Sequence, residues 1–189
     1  MIPAPADALT RSIEGRLSAN EAKTIAASLS AQSSRNAYTY LHALGHARAV
    51  EQEAFVRPFL QRSDDPMLSR MALQVLCTYW NLSDKYREEV ARFVEGVTWD
   101  LAQGGYVQLA AVGIAGDLVK AAGDAHLATM LARTVLNDNN PTVLRDAAYA
   151  ALLLAEGRPY DDLPSASRLH GPDTYDWGVV NRYLRALKE

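Results

Sequence analysis

A single cysteine, Cys77, stands in the 189-residue chain, which excludes an internal disulfide and any zinc centre built from several cysteines. A basic excess is also missing. Lysine and arginine number 19 against 22 aspartates and glutamates, for a net charge of −3. Phosphate neutralisation supplies most nucleic-acid affinity, so this balance argues against a nucleic-acid partner. No long hydrophobic run is present either. The longest apolar stretch opens at Leu109 and meets Asp117 and Lys120 well short of the roughly 20 residues of a membrane span. The start, Met1-Ile2-Pro3-Ala4-Pro5-Ala6-Asp7, lacks the basic and apolar regions of a secretory signal. A soluble, cytoplasmic protein without a membrane partner is expected. Period-2 alternation is nowhere sustained, so strands have no support. No catalytic signature or phosphate-loop spacing occurs, and no cofactor is implied.

What the chain does have is helical periodicity. Hydrophobic content of 49% and charged content of 22% are ordinary for a globular domain. A first helix is expected over 8–17, then Ser18 and Glu21 stand three apart as a capping box. Ser33-Ser34 opens a helix with Ala37, Tyr40, Leu41 and Leu44 inward. The segment 47–61 reads as a helix kinked at Pro58, with Phe55, Val56, Phe59 and Leu60 as its apolar set. Further helices are expected after Asp64-Asp65-Pro66, after Ser83-Asp84, from Tyr106 to Ala121, after Gly123-Asp124 and after Pro141. Proline and aspartate fill the segment from Arg158 to Pro172. A last helix from about Asp173 or Thr174 to Leu187 has Trp177, Val180, Leu184 and Leu187 along one edge.

One frame recurs. Pro66-Met67-Leu68-Ser69-Arg70-Met71-Ala72 is matched by Pro141-Thr142-Val143-Leu144-Arg145-Asp146-Ala147, with a looser copy from Tyr106 to Ile114. Ala72, Ala110 and Ala147 fall 38 and 37 residues apart, the spacing of a helical-repeat array. These three alanines are expected to let helices approach closely. Replacing Ala147 by leucine should then overpack the core by about 1–3 kcal/mol.

Pro66, Leu68, Ala72, Val75 and Leu76, and again Pro141, Val143, Ala147 and Ala150, resemble the second helix of HEAT or HEAT-like repeats. A degenerate copy runs through Ser33, Ala37, Tyr40 and Leu41. The resemblance covers about 18–157 and implies an all-α fold: a right-handed α-solenoid of about four helix pairs. The chain then reads as one domain over 1–189, with 158–189 forming a loop and a C-terminal capping helix. The family places an arginine directly after its valine, whereas Arg70 and Arg145 come one residue later.

Aligning the copies makes Arg35, Arg70, Gln108 and Arg145 equivalent. The next rung, one turn on, is Thr39, Gln74, Val112 and Tyr149. The resemblance places second helices on a concave face, so Arg35, Arg70, Gln74, Gln108, Arg145 and Tyr149 are the candidate partner-binding residues. Arginine offers bidentate bonding to a carboxylate-rich or phosphate-bearing partner. The plainer reading pairs each arginine with an aspartate such as Asp64, Asp100 or Asp146, fixing the stack.

Other constellations are weaker. Asp64-Asp65, Glu88-Glu89 and Asp161-Asp162 could face a basic partner, although acids also favour helix starts. His42 and His46 lie one turn apart, as metal-binding pairs do, but the third ligand would have to come from elsewhere. They read as a surface or groove pair, and no metal is assigned. Tyr79, Trp80, Trp99 and other aromatics suit either an interface or layer ends, with Trp80 and Trp99 at turn boundaries favouring exposure. Cys77 reads as an apolar filler. Gly113 and Gly116 read as points of close helix approach. Together these features point to a non-enzymatic protein-binding module, such as a bacterial immunity or antitoxin-type protein blocking a toxin domain, or an adaptor subunit. HEAT-like enzymes, bilin lyases and DNA glycosylases, are the alternative that the resemblance leaves open.

Overall fold

The computed structural model describes residues 2–164 and 171–185. Among them are eleven α-helices and no strand: α1 (Pro5–Ile13), α2 (Ala19–Ser28), α3 (Ser34–His46), α4 (Glu53–Val56), α5 (Pro66–Gln74), α6 (Arg87–Glu95), α7 (Thr98–Leu101), α8 (Tyr106–Ala122), α9 (Ala125–Leu136), α10 (Thr142–Ala155) and α11 (Trp177–Arg185). The all-α class is thus as expected. The chain divides into two compact units, residues 1–86 with 98–107 and residues 87–97 with 108–189.

Local chemistry starts several of these helices where the residues indicate. The Ser18 hydroxyl accepts from the Glu21 amide at 3.3 Å, while the Glu21 carboxylate accepts from the Ser18 amide at 2.9 Å. This closed box begins α2, and the hydrogen bonds from Ser18 pull the Glu21 carboxyl down to about 2. Asp65 accepts from the Leu68 amide and Pro66 takes the first position of α5. Asp124 does the same for α9, accepting from Leu127 at 3.0 Å.

Other boundaries move. Helix α1 starts at Pro5, whose ring presets a helical φ, and ends at Ile13, before Gly15 turns left-handed at φ +68°. The segment expected as one kinked helix is three short pieces: a 3₁₀ turn Val50–Gln52, α4, and a 3₁₀ helix Arg57–Gln61 containing Pro58. Within it Val56, Phe59 and Leu60 are buried, but Phe55 points outward and is 43% exposed. Helix α11 starts at Trp177, after a 3₁₀ turn at Pro172–Thr174, and the expected end at Leu187 lies outside the described residues. His170, read as part of the preceding loop, lies outside them too.

In the first unit α1 and α2 pack on α3, and α5 packs on α3 and on the 3₁₀ helix Arg57–Gln61. Ile25, Leu41, Leu44, Leu60, Leu73 and Leu76 form its centre. Trp80, expected at an exposed boundary, is instead buried and donates Nε1–H to the Leu44 carbonyl at 3.2 Å. Cys77 is buried, as its filler role requires. Asp100 is fully buried and accepts from the Val107 amide at 3.1 Å. In the second unit α9 is flanked by α6, α10 and α11 around Phe93, Leu127, Leu131, Leu152 and Val180.

The three aligned alanines do not share one environment. Ala72 is fully buried, whereas Ala110 and Ala147 are half-exposed. Ala147 lines an apolar depression of about 270 Å³ with Gly113, Ala150, Leu154, Tyr160 and Leu163. Leucine at 147 therefore has room, which removes the reason for overpacking there. The tight contact lies one step away: a methyl on Gly116 would stand 2.7 Å from the Ala151 Cβ. Gly113 meets nothing within 4 Å. Of the two glycines within α8, Gly116 is a close-approach residue and Gly113 is not.

Candidate functional site

The site is built on α3 and α5, which lie side by side in the first unit. At 100° per residue, Arg35, Thr39, His42 and His46 fall within one narrow stripe of α3. Met67, Arg70 and Gln74 form the matching stripe of α5. None of these seven side chains is buried, in contrast to Ala37, Leu41 and Leu44 on the opposite side of α3 and Leu68, Ala72 and Leu73 on α5. The amphipathic pattern that buries one face is what leaves the other available.

At the start of this face, Ser34, Arg35, Tyr38, Asp65, Met67 and Leu68 line a depression of about 310 Å³. The Arg35 and Arg70 guanidinium groups make no hydrogen bond or ion pair with the described residues. Tyr38, Met67 and Arg35 together give an aromatic ring, a pliable thioether and a forked cation, residue types common at interface anchor points. Nearby Asp64 is already engaged, by Arg62 at 2.8 Å.

The equivalent positions of the second unit are used internally. Gln108 is buried and donates Nε2–H to the Val94 carbonyl at 3.0 Å. Arg145 is only 7% exposed; its Nε–H bonds the Val135 carbonyl at 2.8 Å and its Nη1 lies 3.0 Å from Asp138. Tyr149 is buried against the Tyr175 ring, with centroids 4.6 Å apart, and its hydroxyl accepts from the Asp176 amide at 2.8 Å. Beside it, buried Asp146 accepts from the Tyr175 hydroxyl and from the Gly171 amide. Burial, together with the bond to Asp146, pushes the Tyr175 phenol well above its usual range. These bonds fasten the segment before α11 to α10. Of the six residues put forward from the repeat alignment, Arg35, Arg70 and Gln74 therefore lie on an open face, while Gln108, Arg145 and Tyr149 hold the second unit together.

The far end of the α3 face carries an arrangement that the sequence shows only in part. The π-helical turn Val75–Tyr79, directly after α5, swings Tyr79 over the histidine pair. The His46 Nε2 lies 3.1 Å from the His42 Nε2, which lies 2.9 Å from the Tyr79 hydroxyl. All three rings pack together, with centroids 4.8–5.8 Å apart. Gly45 makes the seat: a Cβ there would meet the Tyr79 ring and Val75 at 3.1 Å. Burial, and then the neighbouring His46, push His42 below the usual imidazole range. Helical spacing reveals the histidine pair. Nothing in the spacing reveals Tyr79, because a π turn shifts its direction off the α-helical register.

Among the described residues no three His, Cys, Asp or Glu side chains converge as a metal cluster, and no helix is long and apolar enough to cross a membrane. The class supported at this point is an all-helical protein with an open polar face on α3 and α5. No family model matches the chain, and no curated protein or solved structure matches it.

Proposed function

We propose that the chain is a non-enzymatic protein-binding module, a HEAT-like right-handed α-solenoid that docks an acidic segment of a partner protein on the α3–α5 face. The observation that carries this reading is the pair of arginines, Arg35 and Arg70, which lack an acidic partner among the described residues. Each is a forked donor suited to a carboxylate. The depression beside Arg35, floored by Tyr38 and Met67, supplies apolar surface next to the charge. Such a module suits an immunity or antitoxin-type protein that covers a toxin domain, or an adaptor subunit.

The test is capture from native lysate with the Arg35→Glu/Arg70→Glu double variant beside the unaltered chain. A charge-assisted hydrogen bond is worth about 1.5–3 kcal/mol, so retention of the partner should fall by about tenfold or more. Circular dichroism and the melting midpoint should stay unchanged. Equal retention by both proteins would refute the docking role. Loss of folding would assign the two arginines to the architecture instead.

A further inference from the structure

We propose that His42, His46 and Tyr79 form a binding site for one divalent transition-metal ion, with the two Nε2 atoms and the phenolic oxygen as ligands. Two imidazole nitrogens at 3.1 Å cannot both carry a proton on the facing atom, so one Nε2 presents a lone pair toward the other. The same separation suits a shared metal. Nitrogens about 2.0–2.1 Å from an ion, at 90–109° to each other, lie about 2.9–3.4 Å apart. The Tyr79 oxygen, 2.9 Å from the His42 Nε2, falls on the next edge of such a coordination polyhedron.

The site is built rather than incidental. His42 and His46 sit one turn apart on rigid α3, the spacing that lets two imidazoles share an ion. Gly45 leaves the space into which the Tyr79 ring fits, and the π turn aims that ring at the pair. All three residues are only partly buried, so an ion has access and a fourth position stays open to water or to a partner's side chain. Imidazole selects zinc, copper and nickel over magnesium or calcium, and the phenol oxygen is compatible with each of the first three. On binding, each ring carries its proton on Nδ1 and turns Nε2 to the metal, and the Tyr79 phenol releases its proton to solvent to coordinate as phenolate. The inference is independent of the arginine-based docking reading, because the chelation needs neither Arg35 nor Arg70.

Calorimetric titration of the metal-stripped full chain with ZnCl₂, CuCl₂ and MgCl₂ tests it. One equivalent of zinc or copper should bind, copper more tightly, and magnesium should not. His46→Ala and His42→Ala should each weaken zinc by about tenfold or more, and Tyr79→Phe by a smaller factor. The copper-loaded chain should show a phenolate-to-copper charge-transfer band that Tyr79→Phe abolishes. His126→Ala/His170→Ala should bind as the unaltered chain does. Circular dichroism in chelator checks that each variant folds, and His46→Gln replaces His46→Ala if that variant does not. Absence of saturable zinc and copper binding, or equal affinity in the folded His46 variant, would overturn the site.

Discussion

Arg70 and Arg145 occupy the same position of a repeated motif, yet the first unit leaves its arginine open and the second encloses it. The difference comes from what surrounds each position. Arg70 follows the half-buried polar stripe of α5, whereas Arg145 turns into the second unit and bonds the end of α9 through Val135 and reaches Asp138 just beyond it. Gln108 and Tyr149 follow Arg145 inward. A repeat thus conveys where a helix goes, and the neighbours decide whether an equivalent side chain is a surface group or a fastener.

Removing the two arginines singly probes that contrast most strongly. Arg145→Ala leaves the Val135 carbonyl without its charged donor and should cost about 1.5–3 kcal/mol. Arg70→Ala should stay within about 0.5 kcal/mol, as an open site does. Urea unfolding of both variants measures this, and equal losses would erase the distinction between the units. A second contrast lies within α8. Gly116→Ala drives a methyl into Ala151 and should cost about 1–2 kcal/mol net of the gain in helix propensity. Gly113→Ala, with open space beside it, should instead stabilise by about 0.5–1 kcal/mol. Thermal melts showing the same sign for both would contradict the packing described for α8 and α10.

A local effect at the start of α2 sharpens the first unit alone. Ser18→Ala opens the box at the start of α2 and should cost about 1 kcal/mol at neutral pH. The Glu21 carboxyl is held at about 2 in the fold, below its ordinary 4.5. Its contribution is therefore fully present above 4.5 and is lost as pH falls toward 2. The stability gap between the unaltered chain and Ser18→Ala should accordingly narrow over that window. A gap that stays constant from pH 6 to pH 2 would show that the box does not set the Glu21 carboxyl.

Much of the helical layout was legible because the signals are local. Ser18, Asp65 and Asp124 cap their helices through hydrogen bonds spanning three residues, and Pro66 fits the first turn by its fixed φ. The inward set of α3 followed from 3.6-residue periodicity. Boundaries failed where competing local forms are close in energy, as around Pro58, where 3₁₀ pieces replace a kinked helix. Trp80 differs from expectation because its position near a turn says nothing of the Leu44 carbonyl that receives its N–H. Half of the candidate site was legible: the stripe of Arg35, Arg70 and Gln74, and the His42–His46 spacing.

The sequence by itself determined the all-helical class, most helix starts and the faces that turn inward, since each depends on residues within one or two turns of each other. Only the tertiary structure decided which repeated positions are free and which are consumed. The closeness of Gly116 to Ala151 and the arrival of Tyr79 at His42 are contacts between segments 35 and 37 residues apart. Side-chain directions at such range depend on helix packing and on one π turn, quantities that no local pattern carries.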